Sequence, residues 1–64
     1  MPIVQIDMLG GRTDDQKRTL VRMVTEAICE ALEAKPETVR IIVRDMRREH
    51  YAVAGVLASE RSAT

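Results

Sequence analysis

The fold is decided by residues 10–34, which read GGRTDDQKRTLVRMVTEAICEALEA. The two glycines interrupt regular structure, and Thr13 followed by Gln16 forms the capping box that begins a helix. Apolar side chains then recur at helical spacing on one broad stripe: Leu20, Val21, Val24, Ala27, Ile28, Ala31 and Leu32. Pro36 disfavours helical geometry at the residue before it, so we predict a helix over about residues 13–34.

The segments on both sides of this helix alternate in the manner of β-strands. The first, at about residues 2–9, begins with a proline, which is tolerated at the first strand position. Its mainly apolar face consists of Val4, Ile6 and Met8. The second, at about residues 38–45, has a β-branched face consisting of Val39, Ile41 and Val43. A strand, a helix and a second strand constitute a βαβ unit with parallel strands and a right-handed crossover, so we predict an α+β fold.

The C-terminal part of the chain is too short to form another domain. We predict a β-turn or short hairpin at about residues 50–60 that docks on a neighbouring subunit. The whole chain, residues 1–64, is then a single domain. A two-stranded sheet with one helix leaves bare edges and an open face, which also favours self-association.

The composition favours the same conclusion. A chain of 64 residues buries only about 60% of the surface that its unfolded form exposes, so small domains usually need an additional source of stability. Cys29 is the single cysteine, which excludes a disulfide within the chain, and one cysteine with His50 offers no metal-ligand spacing. Because 45% of the residues are nevertheless hydrophobic, we expect burial between subunits and no metal.

The charge pattern argues against polyanion and membrane partners. Ten basic and ten acidic residues give zero formal net charge, which suits non-specific nucleic-acid binding poorly. No run of 18 apolar residues and no signal-peptide pattern is present, so we expect a soluble, cytoplasmic protein without membrane contact. The unpaired cysteine is consistent with a reducing compartment.

Four motifs follow one another along the chain. They are Met-Pro-Ile at the first strand, Gly-Arg-Thr-Asp-Asp-Gln-Lys at the helix start, Val-Arg-Ile-Ile-Val in the second strand, and His-Tyr-Ala-Val-Ala-Gly in the tail. In this order, in a chain of this length, they resemble the 4-oxalocrotonate tautomerase family. The resemblance covers roughly residues 2–59.

The resemblance implies a site and an assembly. In that family the initiator methionine is removed and the exposed proline amine is the general base, a role that falls on Pro2. Arg12 matches the arginine that holds the distal carboxylate of the substrate, and Arg40 matches the one that binds the near carboxylate and the carbonyl or enol oxygen. Leu9 lies where a backbone group approaches the substrate, and Tyr51 lies where an aromatic residue walls the pocket. The family also implies a homohexamer, a trimer of dimers with shared sites, and no cofactor.

The chemistry of these residue types fits the implied reaction, keto–enol isomerisation of a 2-hydroxydienoate such as 2-hydroxymuconate. Proton transfer between an enol and a carbon needs a base whose pKa lies near the working pH. An unperturbed α-amino group titrates at about 7.7–8.0, and an apolar pocket or a nearby arginine disfavours its charged form. The two arginines bind carboxylates and stabilise the developing enolate charge.

The sequence leaves three alternative functions open. A haloacrylate dehalogenase or hydratase of the same family uses a tail glutamate to activate water, whereas residues 52–54 here are apolar. The chain also has Tyr51 where relatives usually carry Phe, and Gly10 where they carry Glu. A ribbon-helix-helix DNA-binding dimer would need a second helix after residue 34, where the pattern indicates a strand. A non-catalytic assembly protein with the same fold is the third.

Overall fold

In a computed structural model, which describes residues 1–61, the chain forms two parallel strands joined by a long helix and followed by a small hairpin. The elements are β1 (Ile3–Leu9), α1 (Asp14–Leu32), β2 (Arg40–Met46), β3 (Ala52–Val53) and β4 (Val56–Leu57). Single 3₁₀ turns lie at Pro36–Thr38, Arg48–His50 and Ala58–Glu60. The last three residues of the predicted domain, 62–64, lie outside the described residues. No helix in the described part of the chain is long and apolar enough to span a membrane.

The sheet has the predicted βαβ topology. β1 and β2 pair in parallel over seven positions, from Ile3 opposite Arg40 to Leu9 opposite Met46. β3 and β4 form an antiparallel hairpin, with Ala52 opposite Leu57. These pairings confirm the predicted fold class.

A tight turn connects the two strands of the hairpin. Ala54 and Gly55 have φ angles of +54° and +80°. Positive φ at both central residues is the geometry that matches the twist of a two-residue hairpin. The conformation is common for glycine and uncommon for alanine.

The helix begins where its capping box requires. The Thr13 hydroxyl oxygen accepts a hydrogen bond from the Gln16 backbone N–H at 3.1 Å, and the Gln16 side-chain oxygen accepts one from the Thr13 N–H at 2.9 Å. The helix ends at Leu32, two residues before the predicted end. Glu33 adopts a left-handed conformation, with φ of +53°, which reverses the chain and ends the helix before Pro36 has any effect.

The second strand starts later than predicted. The predicted strand began at residue 38, whereas Pro36–Thr38 form a 3₁₀ turn and β2 begins at Arg40. The Thr38 side-chain hydroxyl donates to the Lys35 carbonyl oxygen at 2.7 Å, which stabilises this turn. This turn connects the end of α1 to β2, which pairs with β1.

One face of the sheet lies against α1 and the other is open. Half-buried positions of the two strands include the predicted apolar faces, Val4, Ile6, Met8, Ile41 and Val43, and also the last residue of each strand, Leu9 and Met46. The alternate positions are exposed: Ile3, Gln5, Asp7, Arg40, Ile42 and Arg44. Lys17 of α1 contacts Asp45 of β2, which is the register partner of Met8. The helix therefore covers the face to which Met8 belongs.

In the single chain, three positions of the predicted apolar stripe of α1 are not covered. The helix residues that are half-buried are Lys17, Leu20, Val21, Val24, Thr25, Ile28 and Cys29. Ala27, Ala31 and Leu32 are exposed, and Leu32 retains 63% of its accessible surface. Two strands about 4.8 Å apart are narrower than a helix of about 10–12 Å, so they cover only the central line of the stripe.

The isolated chain has almost no hydrophobic core. Among residues 1–61, Ala58 alone is fully buried, with 6% of its surface exposed. The radius of gyration is 14.9 Å, against about 11 Å for a compact chain of this length. The exposed large apolar side chains are Met1, Ile3, Met23, Leu32, Ile42, Tyr51, Val53 and Val56.

Candidate functional site

Leu9 and Tyr51 come together at the carboxyl end of β1. Leu9 is the last residue of this strand, and Tyr51 follows the 3₁₀ turn after β2. Both residues line two adjoining cavities of about 210 and 280 Å³. The Tyr51 carbonyl oxygen accepts a hydrogen bond from the Ala58 N–H at 2.7 Å, which holds the hairpin close to this end of the sheet.

Arg12 lies at the same end of the sheet, on the connection between β1 and α1. Gly11 has a φ of +115°, which side-chain-bearing residues rarely adopt, and the Gly10 N–H donates to the Met46 carbonyl oxygen at 2.9 Å. These features turn the chain after β1 and place Arg12 directly before Thr13, the N-cap residue of α1.

A cavity of about 250 Å³, here called the Arg12 cavity, is lined by Met8, Arg12, Gln16, Lys17 and Leu20. Met8 also lines one of the two cavities shared by Leu9 and Tyr51, so the Arg12 cavity adjoins that cavity. Within the described residues the Arg12 guanidinium makes no ion pair with a carboxylate. It is therefore free to bind an anion.

Pro2 and Arg40 come together at the opposite end of β1. The Arg40 N–H donates to the Pro2 carbonyl oxygen at 3.0 Å, and Arg40 is the register partner of Ile3. The Arg40 side chain donates from Nη1 to the Glu37 carbonyl oxygen at 2.5 Å. This bond engages one of its five N–H groups and leaves the others for a ligand.

The two groups of predicted site residues are far apart on one chain. Pro2 and Leu9 are separated by seven positions of extended chain, or roughly 23 Å at about 3.3 Å per residue. Pro2 with Arg40 therefore occupies one end of the sheet, and Leu9 with Arg12 and Tyr51 occupies the other. A small substrate cannot contact both groups of the same chain.

An ion-pair cluster occupies the open face of the sheet between these ends. Arg44 Nε donates to Asp7 Oδ1 at 2.7 Å, and Arg44 Nη2 donates to Gln5 Oε1 at 2.8 Å. The hydrogen bond from Arg44 lowers the pKa of Asp7 from its ordinary value, and the same bond raises the pKa of Arg44. The cluster links β1 to β2, and its two charged groups, Arg44 and Asp7, neutralise each other.

Lys17 is a residue of this region that sequence reasoning missed. Its ammonium group forms an ion pair with Asp45, and the hydrogen bond that it donates to Asp45 raises the pKa of Lys17. The available signal was its position, three and four residues before Leu20 and Val21, which places a charged side chain on the apolar stripe. No group of three or more His, Cys, Asp or Glu residues within 1–61 is arranged to hold a metal ion.

The sequence of the whole fold matches one enzyme family. The family model described as tautomerase enzyme matches residues 2–61. The chain belongs to the tautomerase family. It is 50% identical over 60 residues to a 2-hydroxymuconate tautomerase of Bacillus subtilis, an alignment that covers 94% of this chain and 97% of the relative. As a member of this family it is an isomerase.

Solved structures of tautomerases have the same fold. A homologue of 4-oxalocrotonate tautomerase superimposes with a TM-score of 0.90 at 48% identity, covering 95% of this chain and 100% of that one. A heterohexameric 4-oxalocrotonate tautomerase from Chloroflexus aurantiacus superimposes with a TM-score of 0.88 at 32% identity, covering 94% and 97% of the two chains. The ribbon-helix-helix alternative is wrong, because the segment after α1 is the parallel strand β2.

Proposed function

We propose that this tautomerase isomerises the enol of a 2-oxo acid, a 2-hydroxydienoate such as 2-hydroxymuconate, with the Pro2 amine as general base. The observation that carries the proposal is the grouping of Leu9, Arg12 and Tyr51 around adjoining cavities, where the Arg12 guanidinium has no carboxylate partner among residues 1–61. The relative of Bacillus subtilis, named as a 2-hydroxymuconate tautomerase, supports the substrate class.

The proposed reaction moves one proton and leaves the composition of the substrate unchanged. The free secondary amine of Pro2 removes the proton of the 2-hydroxyl group, and the electron pair of that O–H bond forms the carbonyl. The conjugated double bonds shift, and the protonated amine returns the proton to carbon in a 1,3- or 1,5-transfer. Met1 must be removed first, because the nitrogen of an internal proline is an amide without a basic electron pair.

The two arginines bind the ends of the substrate. Arg40 holds the carboxylate next to the reacting oxygen and stabilises the negative charge that develops there. Arg12 holds the carboxylate at the far end, and guanidinium groups suit this task because they donate two parallel hydrogen bonds to a carboxylate. Leu9 and Tyr51 exclude water from the reacting carbons.

The separation of about 23 Å between the two groups supports a site shared between chains. A second copy whose β1 runs in the opposite direction brings its Pro2 beside Leu9 and Tyr51 of the first. We propose a homohexamer, a trimer of such dimers, and this assembly also covers the exposed apolar side chains.

The remaining partners follow from the same proposal. The chain 1–64, once Met1 is removed, acts as one domain on a small dicarboxylate or 2-oxo-acid enol in the cytoplasm, without a cofactor, a metal, nucleic acid or a membrane. Dehalogenase or hydratase chemistry lacks support, because the hairpin residues Ala52, Val53 and Ala54 offer no carboxylate to activate water.

The test is a spectrophotometric ketonisation assay of 2-hydroxymuconate with the wild type, Pro2→Ala and Arg40→Ala. Intact mass spectrometry first establishes that Met1 is absent. We expect Pro2→Ala to lose at least about 100-fold in kcat, the range of a general base, and Arg40→Ala to lose rate as well. A Pro2→Ala variant with the full rate would refute the proposed mechanism, and a wild type without activity on any 2-hydroxydienoate would favour the non-catalytic assembly.

A further inference from the structure

We propose that Lys17 is a specificity-determining residue of the Arg12 cavity, where it neutralises Asp45 and so preserves the attraction of Arg12 for a carboxylate. This inference rests on the proposed function, because it assumes that the Arg12 cavity receives the far carboxylate of the substrate. It assigns a role in substrate choice to an ion pair outside the predicted site.

The first supporting observation is the position of Lys17 in the cavity. Lys17 and Arg12 line the same space of about 250 Å³, together with Gln16 and two apolar side chains. The capping box between Thr13 and Gln16 fixes the first turn of α1, so Lys17 lies one turn beyond the cap and faces the sheet. Two of the five lining residues are thus cationic.

The second observation is the ion pair with Asp45. Asp45 belongs to β2 and is the register partner of Met8, which lines the cavity. The side chains of Lys17 and Asp45 are 30% and 39% exposed, less than those of any other ion pair among residues 1–61. Because Lys17 is half-buried, its charge is screened less by water and salt than a fully exposed charge is.

The charges of Arg12, Lys17 and Asp45 partly cancel. Arg12 and Lys17 are positive and Asp45 is negative, so these three groups together contribute one net positive charge. Removing Lys17 alone leaves Arg12 opposed by an unpaired carboxylate, which also repels an incoming carboxylate. Removing both partners of the ion pair restores one net positive charge. Asp14, whose charge also acts on Lys17, is unchanged in every variant.

The experiment measures binding of two unreactive probes to the assembled protein by calorimetry. Muconate carries a carboxylate at each end, and sorbate has the same carbon chain with only one. The variants are Lys17→Met, Asp45→Asn, the double variant, and Lys17→Arg. Arg18→Met is the matched control, because it removes one positive charge from an ion pair with Asp15 whose side chains are 71% and 91% exposed.

We expect Lys17→Met to raise the Kd of muconate about 5-fold and Asp45→Asn to lower it about 3-fold, with both effects shrinking as ionic strength rises. The double variant, Lys17→Arg and Arg18→Met should remain within about twofold of the wild type, and sorbate affinity should change little throughout. A double variant as weak as Lys17→Met would overturn the inference in favour of a purely structural ion pair. Equal losses for both probes, or a wild type that does not distinguish them, would overturn it too.

Binding separates this inference from the proposed function. Muconate and sorbate undergo no proton transfer, so the expected order of Kd values does not depend on Pro2 acting as a base. Failure of the ketonisation assay with the expected order of Kd values would reject the chemistry and retain the role of Lys17. Normal ketonisation without the expected order of Kd values would retain the proposed chemistry and reject the role of Lys17.

Discussion

The Arg40 backbone N–H donates a hydrogen bond to the Pro2 carbonyl oxygen at 3.0 Å, so the start of β2 holds the residue that precedes β1. The bond uses the carbonyl of Pro2 and leaves its nitrogen uninvolved. The amino-terminal end of the sheet is therefore ordered by β2, and the proposed base has a defined position once Met1 is gone.

Retention of Met1 should abolish activity. A version of the chain in which methionine removal is blocked keeps the Pro2 nitrogen as an amide, which cannot accept a proton near neutral pH. We expect a loss of at least about 100-fold in kcat, comparable to that of Pro2→Ala. The ketonisation rate, measured on material of verified mass and unchanged oligomeric state, checks this, and a methionine-bearing protein with normal rate would contradict it.

Mixed oligomers should regain activity lost by two separate substitutions. Pro2→Ala and Arg12→Ala affect opposite ends of β1, so they impair different contributions to a shared site. If the two variants are unfolded together and refolded at equal amounts, random assembly restores about a quarter of the sites. Ketonisation at low dicarboxylate concentration measures the recovery. A mixture no more active than the average of its components would show that each site is built from one chain.

Arg12→Ala should discriminate between substrates by their charge. The guanidinium contributes a charge-assisted hydrogen bond to the far carboxylate, worth about 1.5–3 kcal/mol, so KM for a dicarboxylate should rise about 10–100-fold. A monocarboxylate such as phenylenolpyruvate should show a much smaller change in KM. Arg22→Ala is the control, since Arg22 pairs with Glu26 on the exposed side of the helix and lies outside the Arg12 cavity. Equal increases for both substrates would argue against the assigned role.

The Asp7–Arg44 ion pair should make stability depend on acid pH. Arg44 lowers the pKa of Asp7 below its unfolded value of 3.8, so the stabilisation is fully present above pH 3.8. It is lost as the pH falls through the lowered pKa of the folded state. Denaturant unfolding at neutral pH and at about pH 3 should therefore show a gap between the wild type and Asp7→Asn that narrows in acid. The gap should be small because both side chains are about half exposed. If the stability difference between the wild type and Asp7→Asn widened in acid, the assigned role of the ion pair would be contradicted.

Features that depend on near neighbours were predictable from the sequence. The Thr13–Gln16 capping box starts α1 as predicted, and the alternation in β1 and β2 identifies the side chains that lie under the helix. The hairpin was predicted only in outline, because its turn places Ala54 in a conformation that alanine rarely adopts. The roles assigned to Pro2, Arg12 and Arg40 came from resemblance and remain predictions.

By itself, then, the sequence determined the parallel βαβ unit and the start of its helix, because hydrophobic periodicity and capping act over a few residues. The tertiary structure decided the rest. It left Ala27 and Ala31 exposed because a two-stranded sheet is too narrow to cover them. It also joined Lys17 to Asp45, 28 positions away, and put Pro2 and Tyr51 at opposite ends of β1. These relationships depend on how distant segments meet in space, which no local pattern encodes.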